Sequence, residues 1–161
     1  MIVPVIINGE KREIHATPSM TVLEVLRREG FFGVKNGCSE GNCGACVILV
    51  DGVPQKSCLV FIGQIRDREI TTIEGLGTPS NPHPLQDAFV DEAGIQCGFC
   101  IPGMILSAAW LLSQNPIPTD EEIKEGLNSH LCRCTGYVKQ IKAVRQVANT
   151  LQKEISGGAA K

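Results

Sequence analysis

GVKNGCSEGNCGAC, residues 33–46, decides the fold of the first half of the chain. It places Cys38, Cys43 and Cys46 in one loop with the spacing C-x4-C-x2-C. A loop that brings three thiols together must turn tightly, and glycine permits the positive φ values and close backbone approach that such a turn requires. We expect positive φ at the three loop glycines, Gly37, Gly41 and Gly44, which lets backbone N–H groups approach the sulfurs.

A hairpin after the loop is expected to supply the fourth thiol. Val47–Val50 and Val53–Leu59 flank the turn pair Asp51-Gly52, which is typical of a β-hairpin. The second run returns toward the loop and carries Cys58 near its end. Three closely spaced cysteines with a remote fourth are the plant-type ligand pattern for a 2Fe-2S cluster. The cysteines that we name the first cysteine group, and predict to bind this cluster, are Cys38, Cys43, Cys46 and Cys58.

The residues around this loop predict a β-grasp domain over residues 1–76. Three apolar runs predict further strands, at Val3–Ile7, Lys11–His15 and Glu69–Ile73. The first two flank Asn8-Gly9, a strong hairpin turn. Thr21 with Glu24 forms a capping-box pattern that opens a short helix, and Gly30 ends it. Two hairpins around one helix indicate a ferredoxin-like sheet.

The second half changes to helical periodicity after GLGTPSNPHP at residues 75–84. Such a stretch is typical of a linker, which we bound at residues 77–84. Four helices are predicted beyond it, beginning at Pro84, near Pro102, after Thr119 and before Ile141, and Gly94 is expected to end the first of them. They define a helical domain over residues 85–156, followed by a flexible tail at residues 157–161. The predicted fold class is α+β, a β-grasp domain followed by a four-helix bundle.

Four more cysteines lie in the loops that precede two of these helices. Cys97 and Cys100 are spaced C-x2-C, and Cys132 and Cys134 are spaced C-x-C. If the helices are antiparallel to their predecessors, both loops reach the same end of the bundle. Each pair can then clamp one iron, and the following helix amino termini offer N–H donors to an anionic cluster. We name these four residues the second cysteine group and predict that it binds a second 2Fe-2S cluster.

Simple burial and zinc ligation account less well for the eight cysteines. Free cysteine is often buried as a small apolar residue, but burial alone does not gather cysteines beside glycines. Zinc sites favour paired C-x2-C motifs. The first group has a C-x4-C interval and the second contains C-x-C, so iron-sulfur ligation fits better.

Composition and charge argue against several classes of function. The net charge is −2, with 15 basic and 17 acidic residues mixed along the sequence, so no nucleic-acid partner is expected. The longest apolar run, residues 101–112, is too short for a membrane span and contains Pro102 and Gly103. The amino terminus lacks a basic region followed by a long apolar stretch, so we expect a cytoplasmic protein.

The chain resembles the small iron-sulfur subunit of the molybdenum hydroxylases, the xanthine oxidase family. The matching segments are residues 33–46, Cys58 with its preceding strand, QCGFCIPGM at Gln96–Met104 and LCRCTGY at Leu131–Tyr137. A plain ferredoxin has only the first cysteine group. The conjunction with QCGFC and CRCTGY in this order singles out the family.

The resemblance implies an electron-transfer subunit whose substrate site lies on a partner. It implies a large subunit with a molybdopterin-type cofactor, a medium subunit with FAD, and a dimer of such heteromers. The second cluster would lie nearest the pterin, and the first nearest the flavin or another acceptor. Gln96 would hydrogen-bond the pterin, and Cys134 would link the pterin to the cluster. The alternative is a freestanding two-cluster electron carrier, which would lack a broad exposed apolar face for an obligate partner.

Two positions depart from the usual pattern of the family. Ile101 stands where threonine is usual, and His130 stands where asparagine is usual. Both could change the surroundings of the second cluster. We interpret His130 as a packed or solvated loop histidine rather than a ligand, because the four cysteines already complete the ligand set.

Overall fold

The computed structural model describes residues 1–157, which form an α+β fold. The strands are β1 (Ile2–Ile7), β2 (Glu10–His15), β3 (Val47–Val50), β4 (Val53–Lys56) and β5 (Glu69–Thr71). The helices are α1 (Val22–Arg28), α2 (Ile73–Leu76), α3 (Pro84–Asp91), α4 (Ile101–Gln114), α5 (Asp120–Leu127) and α6 (Val138–Gly157). Short 3₁₀ helices lie between β4 and β5, at Ser57–Leu59 and Ile62–Ile65.

The five strands form one mixed sheet in the order β2-β1-β5-β3-β4. β1 pairs antiparallel with β2 and parallel with β5, and β3 pairs antiparallel with β5 and β4. Both hairpins turn where the sequence predicted them. Their turn residues Asn8, Gly9, Asp51 and Gly52 all have positive φ, as a type I′ turn requires.

α1 packs against the sheet and completes the first core. Its predicted capping box is present, since Glu24 N donates to Thr21 Oγ1 at 3.2 Å and Thr21 N donates to Glu24 Oε2 at 2.7 Å. The helix ends at Arg28, and Gly30 follows with φ +91°. Buried residues of this core include Val3, Val5, Ile7, Val22, Val25, Leu26, Ile48 and Val50.

β3 is buried along its whole length, which explains why its sequence VILV does not alternate between apolar and polar residues. Ile48 and Val50 belong to the first core. Val47 and Leu49 instead pack with Leu106 of α4 in a separate cluster. The two halves of the chain therefore contact each other through β3.

Helices α3 to α6 share a second core. Its buried residues include Leu85, Phe89, Met104, Ile105, Ile123, Leu127, Val144 and Ala148. α3 begins at Pro84 as predicted, and α5 begins after Thr119, whose hydroxyl accepts a hydrogen bond from Glu122 N at 3.3 Å. Ile101, the first departure from the family pattern, is buried in this core.

Two boundaries in the first half differ from the sequence-based prediction. The predicted strand through Leu59 ends at Lys56, because Ser57 Oγ donates to Cys46 O at 2.7 Å and the chain turns into a 3₁₀ helix there. β5 ends at Thr71, and Ile73–Leu76 forms a helix that the apolar run did not predict.

Two helix ends in the second half also differ from expectation. α3 ends at Asp91, and Ala93 rather than Gly94 takes the positive φ that follows it, at 52°. α6 extends to Gly157, one residue into the predicted tail, and residues 158–161 lie outside the described part of the chain. Within residues 1–157, no helix combines the length and apolar character needed to cross a membrane.

Candidate metal centres

The first cysteine group lies in the loop between α1 and β3 and just after β4. The backbone N–H groups of Glu40 and Cys43 each donate to Cys38 Sγ at 3.4 Å. These hydrogen bonds lower the pKa of the Cys38 thiol to about 6. The loop itself therefore stabilises a thiolate, which is the form of cysteine that binds metal.

Cys46 and Cys58 are the buried members of the first group. Burial, and then the neighbouring Cys46 thiol, raise the pKa of Cys58 to about 11. A buried thiol of this kind loses its proton when a cation binds beside it. The buried side of the site thus fits a metal group whose positive charge replaces the protons.

The loop glycines serve two different purposes. Gly41 and Gly44 have φ values of +77° and +70°, as predicted. The prediction of positive φ at Gly37 is wrong, and its role is to leave space, because a Cβ there would lie 2.7 Å from Cys43 Sγ. Ser39 takes positive φ at 58°, which sequence reasoning missed because serine gives no such signal.

The second cysteine group lies in the loops before α4 and α6, which come together as predicted. Cys100 is buried and Cys132 half-buried, whereas Cys97 and Cys134 are exposed. Burial, and then the neighbouring Cys132 thiol, raise the pKa of Cys100 to about 12. The neighbouring Cys97 thiol raises the pKa of the Cys134 thiol.

These contacts pair the thiols across the two loops. Cys100 interacts with Cys132, and Cys97 interacts with Cys134. That each C-x2-C or C-x-C pair clamps one iron stays a prediction. Cys100 is the N-cap residue of α4 and is buried against the helical core, while Cys97 lies in the exposed loop.

Polar groups support Cys132 at the centre of the second group. Its backbone N–H donates to Tyr137 Oη at 2.7 Å, and its Sγ lies 3.0 Å from Thr135 Oγ1. Burial raises the pKa of Cys132, but hydrogen bonds from Thr135 and from the Cys134 backbone outweigh it, so the net shift is downward. This loop therefore favours a thiolate at Cys132 in the same way that the first loop favours one at Cys38.

Thiols lie beside one another in both groups. In the part of the chain that the structure describes, no three His, Cys, Asp or Glu side chains are arranged to hold one metal ion together. Cys46 lies beside Cys58, and in the second group Cys100 lies beside Cys132 and Cys97 beside Cys134. Paired thiols suit a group of two irons in which each iron takes two thiolates.

The two cysteine groups meet at a direct backbone contact. Leu131 N donates to Cys43 O at 2.9 Å, and Leu131 immediately precedes Cys132. His130 is 1% exposed, and its Nε2 lies 2.7 Å from Ser107 Oγ. Burial lowers the pKa of His130 to about 4, so the ring is neutral near pH 7. The interpretation of His130 as a packed side chain is confirmed.

Gln96 lies on the exposed side of the second group. It is exposed, and its Nε2 donates to Cys134 O at 3.3 Å, so part of its amide is used within the chain. Exposed apolar side chains lie within four positions of these cysteines, and we name them the second-group rim: Ile95, Phe99, Leu131 and Val138. Exposed apolar residues thus flank the exposed cysteines of the second group in the sequence.

Two family models match consecutive parts of the chain. Residues 5–69 match a 2Fe-2S iron-sulfur cluster binding domain, and residues 72–145 match a [2Fe-2S] binding domain. The chain therefore contains two 2Fe-2S binding domains, and each domain holds one of the cysteine groups. This defines the class of the protein as a two-cluster iron-sulfur protein.

Known relatives identify the family within this class. The chain is 46% identical over 140 residues to the nicotinate dehydrogenase small FeS subunit of Eubacterium barkeri, covering 86% of this chain and 89% of the relative. It is 39% identical over 147 residues to the xanthine dehydrogenase iron-sulfur-binding subunit of Escherichia coli O157:H7, covering 89% and 92%. The crystal structure of quinoline 2-oxidoreductase from Pseudomonas putida 86 matches with a TM-score of 0.90 and 39% identity, covering 95% of this chain and 96% of that one. The chain belongs to the small iron-sulfur subunits of the molybdenum hydroxylase, or xanthine oxidase, family.

Proposed function

We propose that the chain is the electron-transfer subunit of a molybdenum hydroxylase complex. It would pass electrons between a molybdopterin site on a large partner subunit and a flavin or another acceptor. The observation that carries this proposal is the hydrogen bond between Leu131 N and Cys43 O, which joins the two cysteine groups. Covalent bonds and this one hydrogen bond connect Cys43 of the first group with Cys132 of the second.

Two 2Fe-2S clusters, when bound, would supply storage of one electron each. The first would be ligated by the first cysteine group, and the second by the second cysteine group. The backbone N–H groups that donate to Cys38 Sγ and the Thr135 hydroxyl beside Cys132 Sγ would stabilise negative charge on the sulfurs. Burial of Cys46, Cys58 and Cys100 would keep water from the inner side of each site.

We infer that the second cysteine group faces the pterin of the large subunit. Cys97 and Cys134 are exposed and lie within four positions of the residues of the second-group rim, so a partner that covers this region would bury apolar surface. Gln96 keeps its amide oxygen and one N–H for the pterin, because its hydrogen bond to Cys134 O uses a single N–H. Cys134 would contact the pterin and ligate the cluster, which makes it the link between them.

The remaining parts of the proposal rest on family membership. A medium FAD subunit would accept electrons from the first cysteine group, and the complex would be a dimer of such heteromers in the cytoplasm. Residues 1–76 would form a β-grasp domain, residues 77–84 a linker and residues 85–156 a four-helix bundle. A freestanding carrier is not favoured, because the relatives from Eubacterium barkeri and Escherichia coli both carry the name of a subunit.

Copurification of the chain with its partners tests the assignment to a complex. The partner chains and their cofactors would be identified, and iron and acid-labile sulfide would be measured on the isolated chain. We expect about four of each per chain, because two clusters hold two irons each. Two distinguishable paramagnetic signals should appear after reduction. Stoichiometric zinc with no visible absorption, or a chain that purifies alone, would refute the proposal.

The order of electron transfer is tested by two matched cysteine variants in the complex. Cys43→Ser should damage the first cluster and slow transfer to the external acceptor. Cys100→Ser should damage the second cluster and stop electrons from leaving the molybdenum subunit. Reduction of the first cluster by substrate at the normal rate in Cys100→Ser would contradict the proposed order.

A further inference from the structure

His130 lies at the junction between the two cysteine groups, and neither proposed ligand set uses it. It belongs to the loop between α5 and α6, and it is almost fully buried at 1% exposure. On one side its Nε2 lies within hydrogen-bond distance of Ser107 Oγ on α4, at 2.7 Å. Ser107 is buried as well, so this contact is shielded from water.

The Nδ1–Cε1 edge of the imidazole faces two glycines from different parts of the chain. A Cβ on Gly44, in the first cysteine loop, would lie 2.6 Å from His130 Nδ1 and 3.0 Å from His130 Cα. A Cβ on Gly103, in α4, would lie 3.2 Å from both Cε1 and Nδ1 of the ring. The ring therefore occupies a space that exists only because both neighbours lack side chains.

This packing lies beside the hydrogen bond between the two groups. Gly44 follows Cys43, whose carbonyl accepts that bond, and His130 precedes Leu131, whose N–H donates it. The ring and the hydrogen bond thus hold the same two loops together. Displacement of the ring would let these loops move, and electron exchange weakens steeply as the gap between two centres widens.

We propose that His130 is a positioning residue that fixes the contact between the Cys43 and Leu131 backbones and so sets the electronic coupling between the two clusters. This inference rests on the proposed function, because it requires a cluster at each cysteine group. The ring acts by holding the loops in contact and does not itself carry the electron.

The test compares the full chain, loaded with both clusters, with its His130→Ala variant. Iron content is measured first, followed by the magnetic interaction between the reduced clusters in electron paramagnetic resonance and the rate of transfer between them. We expect full iron content, a weaker magnetic interaction and transfer slowed roughly tenfold, equivalent to about 1.4 kcal/mol in the barrier. His130→Asn, which keeps a polar amide, should recover part of both readouts.

Ile123→Val in α5 is the matched control for general loosening of the helical core, since Ile123 is fully buried in that core. It should lower thermal stability without changing the magnetic interaction or the rate. If His130→Ala loses iron, the magnetic interaction and the transfer rate are measured in Ser107→Ala instead. This change removes only the hydroxyl that contacts the ring. Unchanged magnetic interaction and rate in the iron-loaded variant would overturn the inference. Absence of two clusters in the unmodified chain would instead overturn the proposed function.

Discussion

Replacing Gly44 by alanine should force the two cysteine loops apart. An alanine Cβ would lie 2.4 Å from Ser129 O and 2.6 Å from His130 Nδ1. Ordinary van der Waals contact begins at 3.4 Å, so the Ser129 backbone would have to retreat by about 1 Å. Ser129 belongs to the loop that leads to Cys132, and its retreat therefore strains the hydrogen bond between Leu131 and Cys43.

Two costs contribute to the expected loss of stability in Gly44→Ala. Its φ of +70° is unfavourable for alanine by about 1–2 kcal/mol. Displacing packed backbone adds about 1–3 kcal/mol. The free energy of unfolding should fall by about 2–5 kcal/mol, and each 1 kcal/mol lowers Tm by roughly 2–4 °C in a chain of this size.

Gly52→Ala is the matched control for this experiment. Gly52 has φ +79°, close to that of Gly44, but nothing lies within 4 Å of a Cβ built there. Gly52→Ala should therefore show only the backbone cost of about 1–2 kcal/mol. Thermal unfolding followed by circular dichroism measures both variants. Equal Tm losses in the two would refute the reasoning, because they would mean that the Gly44 contact with Ser129 and His130 adds nothing.

Three further changes have defined outcomes. Gln96→Ala should keep the iron content but weaken binding of the pterin by about 1–3 kcal/mol, the cost of leaving a buried polar partner unsatisfied. Unchanged cofactor content and turnover would make Gln96 an ordinary loop amide. Lys56→Gln removes a cation whose Nζ donates to Gly41 O at 2.5 Å. The reduction potential of the first cluster should therefore fall by up to about 60 mV, which is a tenfold change in the one-electron equilibrium. Lys56→Arg keeps the charge and should preserve the potential. Burial lowers the pKa of His83, whose Nδ1 must stay unprotonated to accept from Leu85 N. The stabilisation from His83 is thus complete above its unfolded pKa of about 6.5 and is lost as the pH falls below that value. His83→Asn should flatten this part of the pH dependence of Tm. An unchanged profile would contradict the role of His83 as the cap of α3.

The sequence predicted those features that depend on local chemistry. The turn pairs Asn8-Gly9 and Asp51-Gly52 predicted both hairpins, because positive φ at consecutive positions strongly favours these residues. The capping boxes at Thr21 and Thr119 predicted the starts of two helices in the same way. Cysteine spacing predicted which loops would come together, since a cluster limits how far apart its ligands can lie.

Features that depend on packing between distant segments were not predictable. Spacing could not show that the Cys100 thiol lies beside Cys132, because the direction of each thiol depends on where α4 begins and which side faces the core. Gly37 was expected to supply a turn, but it supplies space for the Cys43 sulfur. His130 gave no signal of its position between two glycines, since those glycines lie 86 and 27 residues away in sequence.

The two-sided burial of β3 ties the stability of one half of the chain to the presence of the other. Because Val47 and Leu49 pack against Leu106, a fragment that ended after α2 would keep only Leu76 beside them and would expose more of both side chains to water. The strand that follows the first cysteine loop would then carry an apolar, unprotected face, which favours aggregation. Loss of α4 by proteolysis or truncation would therefore endanger the first cluster, although none of its four cysteines lies in that helix.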